Sequence, residues 1–251
     1  MGYTAWSSQY NNQNDWIAMN NSKIQKLKLY CLPEQMALKA LLQEELQAKG
    51  RETIVQDGFL YSEGKHPVLL IAHMDTVHEE LRGMPTDIYI DKTISPKGDL
   101  RSKNGVGGDD RAGCFIIMEI IKTLDCHVLF TEDEEQHGIG ASKFCKSGIE
   151  PDVQFIVEFD RKGRDDAVYY GCNNRDFVDF VSRYGFNEQR GSFSDISIIA
   201  PHLDIAAVNL STGFYEAHRE SEYIRISDVG EIIKQSIPLL TDIETKYRYK
   251  N

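Results

Sequence analysis

The sequence predicts an α/β protein, a three-layer α/β/α sandwich around a mixed, largely parallel central sheet. Two observations carry this. The runs PVLLIA (67–72), HVLFT (127–131), VQFIVEF (153–159) and DIAAVNL (204–210) are apolar almost throughout. A strand that is apolar on both sides is buried on both faces, as in a sheet covered by helices. Segments of helical character lie between these runs, and strands alternating with helices wind into such a sandwich.

Taken in order, residues 33–48 open with a proline suited to a first helical turn. Met36, Leu38, Leu41, Leu42 and Leu46 recur at helical spacing, and the segment ends before Gly50, so it reads as an amphipathic packing helix. Residues 52–62 read as a strand pair turning at Asp57-Gly58. The strand 67–72 follows, then a further strand over 87–90, a helix over 112–124 and the strand 127–131. A short helix near 139–147 precedes the strand 153–159. Residues 166–171 are expected to be a strand, and 174–184 fit helix or strand equally. After the strand 204–210 the chain ends in a helix over 227–240, with Ser227 as N-cap. No internal repeat or composition change divides the chain, so residues 1–251 are expected to form a single catalytic-sized domain, with 1–23 a flexible segment rich in Asn, Gln and Ser.

Composition excludes several classes of function. With 41% hydrophobic and 27% charged residues, the chain is ordinary for a globular protein. A net charge of −11 argues against a nucleic-acid backbone as partner, because that needs a basic face. No apolar run approaches the roughly 18 residues of a membrane span. Trp6 stands where a myristoylation signal at Gly2 wants Ser or Thr. The five cysteines, Cys31, Cys114, Cys126, Cys145 and Cys172, are odd in number and include no C-x-x-C pair. They read as reduced thiols, and the expected location is the cytoplasm.

The informative polar residues stand where the apolar strands end. LLIA runs into His73-Met74-Asp75, VLFT into Glu132-Asp133-Glu134-Glu135, FIVEF into Asp160, and AAVNL, after a loop, into His218. In open α/β sheets, sites lie beyond the carboxyl ends of the strands, so these side chains can converge at one rim. His73 and Asp75 are two apart and share a side of an extended segment, where the carboxylate can fix the imidazole tautomer. Gly105, Gly107 and Gly108 permit a tight turn before Asp109 and Asp110, which open a helix; for both aspartates, helix capping is as good a reading as metal binding. The acidic run after Thr131 would repel itself at a partly buried edge without cations, and adjacent glutamates could divide metal binding from proton transfer.

In this order IAHMDTV, GGDDRAG, TEDEEQHGIGA, VEFD and EAHRESEYI resemble the motifs of the dinuclear zinc exopeptidases, the superfamily of tripeptidase- and carboxypeptidase-like, aminopeptidase and glutamyl-aminopeptidase-like enzymes. The resemblance runs from about residue 67 to about residue 226. It implies metal ligands His73, Asp110, Glu135, Asp160 and His218, with Glu158 as the alternative to Asp160. Asp110 would bridge two divalent cations roughly 3.5–4 Å apart, leaving Asp109 a structural part. Asp75 would support His73, and Glu134 would be the general base for a metal-bridged hydroxide. Carboxylate and imidazole ligands suit zinc, and also manganese or cobalt. The implied activity is hydrolysis of an amide in a small peptide or N-acyl amino acid. Deacylation of a non-peptide compound, or an idle binding protein on the same fold, are the alternatives.

The chain departs from the tripeptidase-like branch in one respect. Only residues 161–217 separate Asp160 from His218, too few for the lid or dimerisation domain inserted there in that branch. A monomer, or an assembly through the catalytic surface itself, is therefore expected. The segment Gly191–Asp195 is expected to support the site. Arg175, with Asn173 and Asn174, reads better as a surface loop capping a helix than as a substrate anchor. His66, His78, His127, His137 and His202 are expected to be solvated or hydrogen-bonded, with His137 nearest the motifs.

Overall fold

The computed structural model describes residues 18–251. Helix α1 (Asn21–Tyr30) begins inside the segment expected to be flexible; residues 1–17 of that segment lie outside the described residues. The Asn20 side chain caps it, accepting from the Lys23 N–H at 3.0 Å. Helix α2 (Gln35–Ala48) buries Leu38, Leu42 and Leu46, a stripe of i, i+4 spacing, whereas Met36 is exposed. The expected hairpin is β1 (Ile54–Gln56) and β2 (Phe59–Ser62), turning at Asp57-Gly58. There follow β3 (His66–His73), α3 (Val77–Leu81), β4 (Tyr89–Asp91), β5 (Asp99–Arg101), α4 (Gly108–Ile120), β6 (Cys126–Thr131), α5 (Ile139–Lys146) and β7 (Phe155–Arg161). The last part of the chain comprises β8 (Asp166–Val168), α6 (Arg175–Ser182), β9 (Asn187–Gln189), α7 (Ile196–Leu203), β10 (Ala207–Ser211), β11 (Phe214–Tyr215), β12 (Tyr223–Arg225) and α8 (Ile226–Thr241).

Eight strands form the main sheet in the order β1-β2-β6-β3-β7-β10-β8-β9. Its centre, β6-β3-β7-β10, is wholly parallel. Strands β1, β2 and β8 pair antiparallel to their inner neighbours, so the sheet is mixed. Side chains of β3 divide by parity, as a pleat requires. Val68, Leu70 and Ala72 join the core under α1, α2, α4, α6 and α8, while Leu69 and Ile71 join the core under α5 and α7. Both faces are covered, and the three-layer sandwich inferred from the apolar runs is the fold observed. Among the described residues no helix is long and apolar enough to cross a membrane.

Two local expectations are corrected and one open alternative is resolved. The strand expected over 166–171 stops at Val168. The ambiguous 174–184 is a helix, because the Asn174 side chain caps it by accepting from the Phe177 N–H. Ser227 does not cap α8. It lies inside the first turn, where its hydroxyl donates to Asp228 Oδ1 at 3.1 Å, and Arg225 holds the N-cap position. A second, antiparallel sheet, β11-β12-β5-β4, has no counterpart in the sequence reading beyond β4.

The chain order reverses at β3. From there the connection runs out to β6 on one side, then back across to β7 on the other. This switch opens a crevice beyond the carboxyl ends of β3, β6 and β7, which is where open α/β sheets place their sites.

Candidate metal centre

His73, the last residue of β3, is buried at this rim. Its Nδ1 lies 3.2 Å from Asp75 Oδ1, and its Nε2 faces the crevice. Asp75 also accepts the backbone N–H groups of Glu134 and Glu135, each at 3.0 Å. One carboxylate thus fixes the imidazole and the loop after β6 together.

The acidic run after β6 splits in two. Glu132 turns inward to Lys39 at 2.6 Å and accepts from the Gly58 N–H at 2.8 Å. Asp133 Oδ1 accepts from Gln35 Nε2 at 3.0 Å, and its own N–H donates to Gln35 Oε1. Helix α2 and the turn between β1 and β2 satisfy these two acids, so cations are not needed for them. Glu134 and Glu135 face the crevice.

The paired aspartates of GGDDRAG separate in the same way, and here the sequence expectation is corrected. Asp109, not Asp110, stands between the histidines. Asp109 Oδ1 is 3.1 Å from His73 Nε2, and Asp109 Oδ2 is 3.1 Å from His218 Nε2. Asp110 points into the protein, fully buried, where its Oδ1 accepts from the Gly113 N–H at 2.9 Å as a cap on α4. A side chain at Gly113 would collide with that carboxylate and with the Phe159 carbonyl, so this glycine lets α4 lie against β7. The capping alternative was right for one aspartate of the pair. The Asp109–Asp110 peptide is cis.

Asp160 Oδ1 lies 3.3 Å from His73 Nε2. Glu158 does not reach the histidine. It is buried and accepts from the Ser194 hydroxyl, which also stands 3.4 Å from Asp160 Oδ2. Asn209 Nδ2 donates to Asp160 Oδ2 at 3.2 Å, and its Oδ1 accepts from the Asp160 N–H. Asp195 accepts from the Thr131 hydroxyl at the end of β6. The segment 191–195 therefore supports the site as expected, through Ser194 and Asp195. His218, half exposed and with φ of 64°, closes the group: its Nε2 is 2.8 Å from Glu135 Oε1.

Two overlapping sets result: His73, Asp109 and Asp160 on one side, and Asp109, Glu135 and His218 on the other, the donor atoms of each set within 4.8 Å of one another. The donor atoms of Glu134 lie equally close to those of His73 and Glu135. The residues fit a pair of divalent cations on three counts. Bonds of roughly 2.0–2.1 Å to a tetrahedral cation put its ligand atoms roughly 3.3 Å apart, the spacing seen here. Glu135 Oε1 is buried without a properly oriented hydrogen-bond donor, although His218 Nε2 is beside it. Finally, the electrostatics lack positive charge. Burial, reinforced by Asp160, Asp195 and Glu135 against the opposing His73, pushes Glu134 up to about 9. Burial also lifts Asp160 to about 6 and Asp195 to about 7. His218 is raised to about 10 by its hydrogen bond to Asp109 and by the Glu135 carboxylate beside its ring. For His73, burial is outweighed by Asp75, Asp160 and Asp109, and the imidazole is held well above its usual range. Glu134 held neutral and the imidazoles held charged beside carboxylates such as Asp109 and Asp75, whose values are lowered, are what such a cluster does when protons alone balance it.

Behind Asp109 lies a buried support that the sequence reading passed over. Glu222 accepts from the Gly107 N–H at 2.8 Å and the Asp109 N–H at 3.1 Å, and stands 2.6 Å from His78 Nε2. Its place in the motif HRESEYI, four residues after His218, was the available signal. The remaining histidines behave as expected. His66 bonds the Leu240 carbonyl, His127 the Tyr61 hydroxyl, and His202 is exposed; His137 lines the crevice. Arg175 pairs with Glu188 at the surface, away from the site. The crevice itself, about 310 Å³, is lined by Asp109, Glu134, Glu135, Asp160 and His218 with Phe193, Phe214 and Ala217.

No protein-family model matches the chain, and no curated protein matches its sequence. The fold is similar to that of a tripeptidase from Staphylococcus aureus subsp. aureus Mu50, with a TM-score of 0.71, 13% identity, and 89% of this chain and 98% of that one covered. It is similar also to the aminopeptidase PepT of Bacillus cereus ATCC 10987, with a TM-score of 0.70, 13% identity, and 88% and 98% covered. A glutaminyl cyclase from Tannerella forsythia shares it at a TM-score of 0.62, 14% identity, and 91% and 98% covered. At these identities the likeness establishes the shared fold alone.

Proposed function

We propose that this chain is a two-metal hydrolase that cleaves an amide bond in a short peptide or N-acyl amino acid. The observation that carries the reading is the Asp109 carboxylate, with one oxygen 3.1 Å from each of two imidazole Nε2 atoms and a further carboxylate completing each side. His73, Asp109 and Asp160 would hold one cation and Asp109, Glu135 and His218 the other; zinc suits this donor set, as do manganese and cobalt. When bound, such a pair supplies Lewis-acid polarisation of the scissile carbonyl and acidifies water.

The chain's own residues do the rest. Glu134 stands beside His73 and Glu135 and is left over when the two cations are assigned to the other two sets; in this reading its carboxylate takes the proton of the attacking water and returns it to the leaving amine. Asp75 keeps His73 Nε2 aimed inward and holds the Glu134 backbone in place, two tasks met by one group. Phe193 and Phe214 exclude water from one part of the crevice. All five cysteines are free, which suits a reducing compartment.

The test is a metal titration joined to a substrate panel. Two cations per chain, with turnover of dipeptides, tripeptides or N-acyl amino acids, support the reading. Fewer than one tightly bound cation under zinc, manganese and cobalt alike would overturn it. Because the fold is shared with a glutaminyl cyclase, an N-terminal glutaminyl peptide belongs in the panel. Ammonia released from it in place of a cleaved peptide bond would replace hydrolysis by cyclisation on the same centre.

A further inference from the structure

Among so many acids, the crevice contains two cations that its metal chemistry does not use. Arg161 and Lys162 directly follow Asp160, and both line the crevice. Three consecutive residues facing one cavity is not what a pleated strand gives, since neighbours should point to opposite faces. The pairing of β7 with β10 supplies the cause. Phe159 faces Leu210 and Arg161 faces Ser211, which leaves Asp160 as an extra residue in a bulge. A bulge breaks alternation and re-aims side chains.

The backbone that carries the two cations is fixed. The Arg161 carbonyl accepts from the Thr212 N–H at 2.8 Å, and the Lys162 carbonyl accepts from the Ser211 hydroxyl at 3.0 Å. The Gly163 N–H donates to the Phe214 carbonyl, and its carbonyl accepts from the Gly213 N–H, each at 2.9 Å. The charges themselves are underused. Arg161 spends its Nε on Asp166 Oδ2 at 3.2 Å. Lys162 makes no ion pair or side-chain hydrogen bond among the described residues, although Asp160 is two residues away. The fixed segment thus presents the exposed Lys162 ammonium and the outer edge of the half-buried Arg161 guanidinium to the crevice, donors that suit an anion.

Resting on the hydrolase reading, we propose that Arg161 and Lys162 bind a carboxylate of the substrate, so that the enzyme takes small peptides or N-acyl amino acids whose free carboxylate lies within a residue or two of the scissile amide. A crevice of about 310 Å³ is at the small end for ligand sites and suits a substrate of that length.

The experiment compares alanyl-alanine, alanyl-alanine amide and glutamyl-alanine amide on metal-loaded wild-type protein and on Lys162→Gln and Arg161→Gln. A charged hydrogen bond predicts a preference for a carboxylate-bearing substrate of about 10–100-fold in kcat/KM. In Lys162→Gln that ratio should collapse toward unity, with the loss in KM rather than kcat. Preference for alanyl-alanine places the recognised group at the C-terminus; preference for glutamyl-alanine amide places it on the side chain. Equal use of acid and amide by wild type overturns the inference while leaving the hydrolase reading intact, as does a Lys162→Gln loss that is the same for both. If no substrate turns over, calorimetric binding of the acid and the amide to the same proteins decides separately. Tighter binding of the acid that depends on Lys162 keeps the carboxylate site and sinks only the hydrolase, whereas equal binding sinks both.

Discussion

Replacing Glu222 should unseat Asp109 without touching any group that faces the crevice. Glu222 is fully buried, and its two oxygens serve three partners: the Gly107 N–H, the Asp109 N–H and the His78 ring. Arg82 Nη1 lies 3.1 Å from His78 Nδ1; a guanidinium can only donate, so Nδ1 is the acceptor and the ring hydrogen on Nε2 points at Glu222. Glu222→Ala would strand three buried donors. Each unsatisfied buried group costs about 1–3 kcal/mol, and partial relaxation places the sum near the low end, about 3–5 kcal/mol. Against a total stability of about 5–15 kcal/mol, that variant risks unfolding. Glu222→Gln is the informative substitution, because it keeps the shape and one acceptor oxygen; the expected cost is about 1–3 kcal/mol. Urea unfolding of the metal-free protein, with unchanged m, measures it, and a zinc titration should show weakened binding. Arg82→Ala, whose side chain is partly solvated, should cost less than about 1 kcal/mol. A Glu222→Gln protein with wild-type stability and wild-type zinc affinity would refute the argument that this carboxylate holds the aspartate in place.

Three further outcomes are expected. Asp109→Asn should deplete both cations, whereas Asp110→Asn should keep both and change stability by less than about 2 kcal/mol, since it alters only a cap; metal analysis of the two purified proteins decides, and equal depletion would return the bridging role to Asp110. Glu134→Gln should lower turnover by about 10²–10⁴ with both cations retained, and wild-type turnover on an identified substrate would remove Glu134 from the mechanism. The pH dependence follows from the raised imidazoles. In the metal-free fold, protonated His218 contributes stability that is complete below the unfolded value of about 6.5 and is lost as pH rises through about 10. A cation must displace that proton, so metal affinity should increase with pH across this window, and binding at neutral pH should release protons. Calorimetry in buffers of different ionisation enthalpy reads the release directly, and its absence would contradict the ligand assignment of His73 and His218.

How far the sequence could be read depended on how long each signal ran. The strands β3, β6, β7 and β10 were legible because an apolar run of five or more residues has one physical meaning in a covered sheet, and the polar residue at its end is placed by that strand. His73, the pair Glu134-Glu135 and Asp160 were located on that logic. The small sheet was not legible, because β5, β11 and β12 are two or three residues long and show no period. The choice between Asp109 and Asp110 failed for another reason. Adjacent aspartates before a helix compete for one capping position, and which of them wins depends on the backbone turn at Gly107 and Gly108, not on composition. The acidic run misled in part, since Glu132 and Asp133 are satisfied by Lys39 and Gln35 on a helix that precedes them by about a hundred positions of chain. Long-range pairing of that kind leaves no local trace.

The two sheets divide the labour of building the centre. Parallel strands β3, β6 and β7 share one rim, so His73, Glu134, Glu135 and Asp160 arrive together from a rigid frame. Asp109 and His218 come from elsewhere, one from the start of α4 and the other from the loop between β11 and β12. The small sheet joins them: Ile224 and Phe214 pack so closely over Gly108 that an added Cβ would lie 2.7–2.8 Å from them. Glu222, in the same loop as His218, then clamps the Asp109 backbone from behind. The pairing of Ile224 with Leu100 and Phe214 anchors that loop at both ends. The aspartate that both metal sets share is thus held by the same segment that delivers the last histidine. His218 and Asp109 are both positioned by the segment around the small sheet, whereas His73 and Asp160 are positioned by the main sheet.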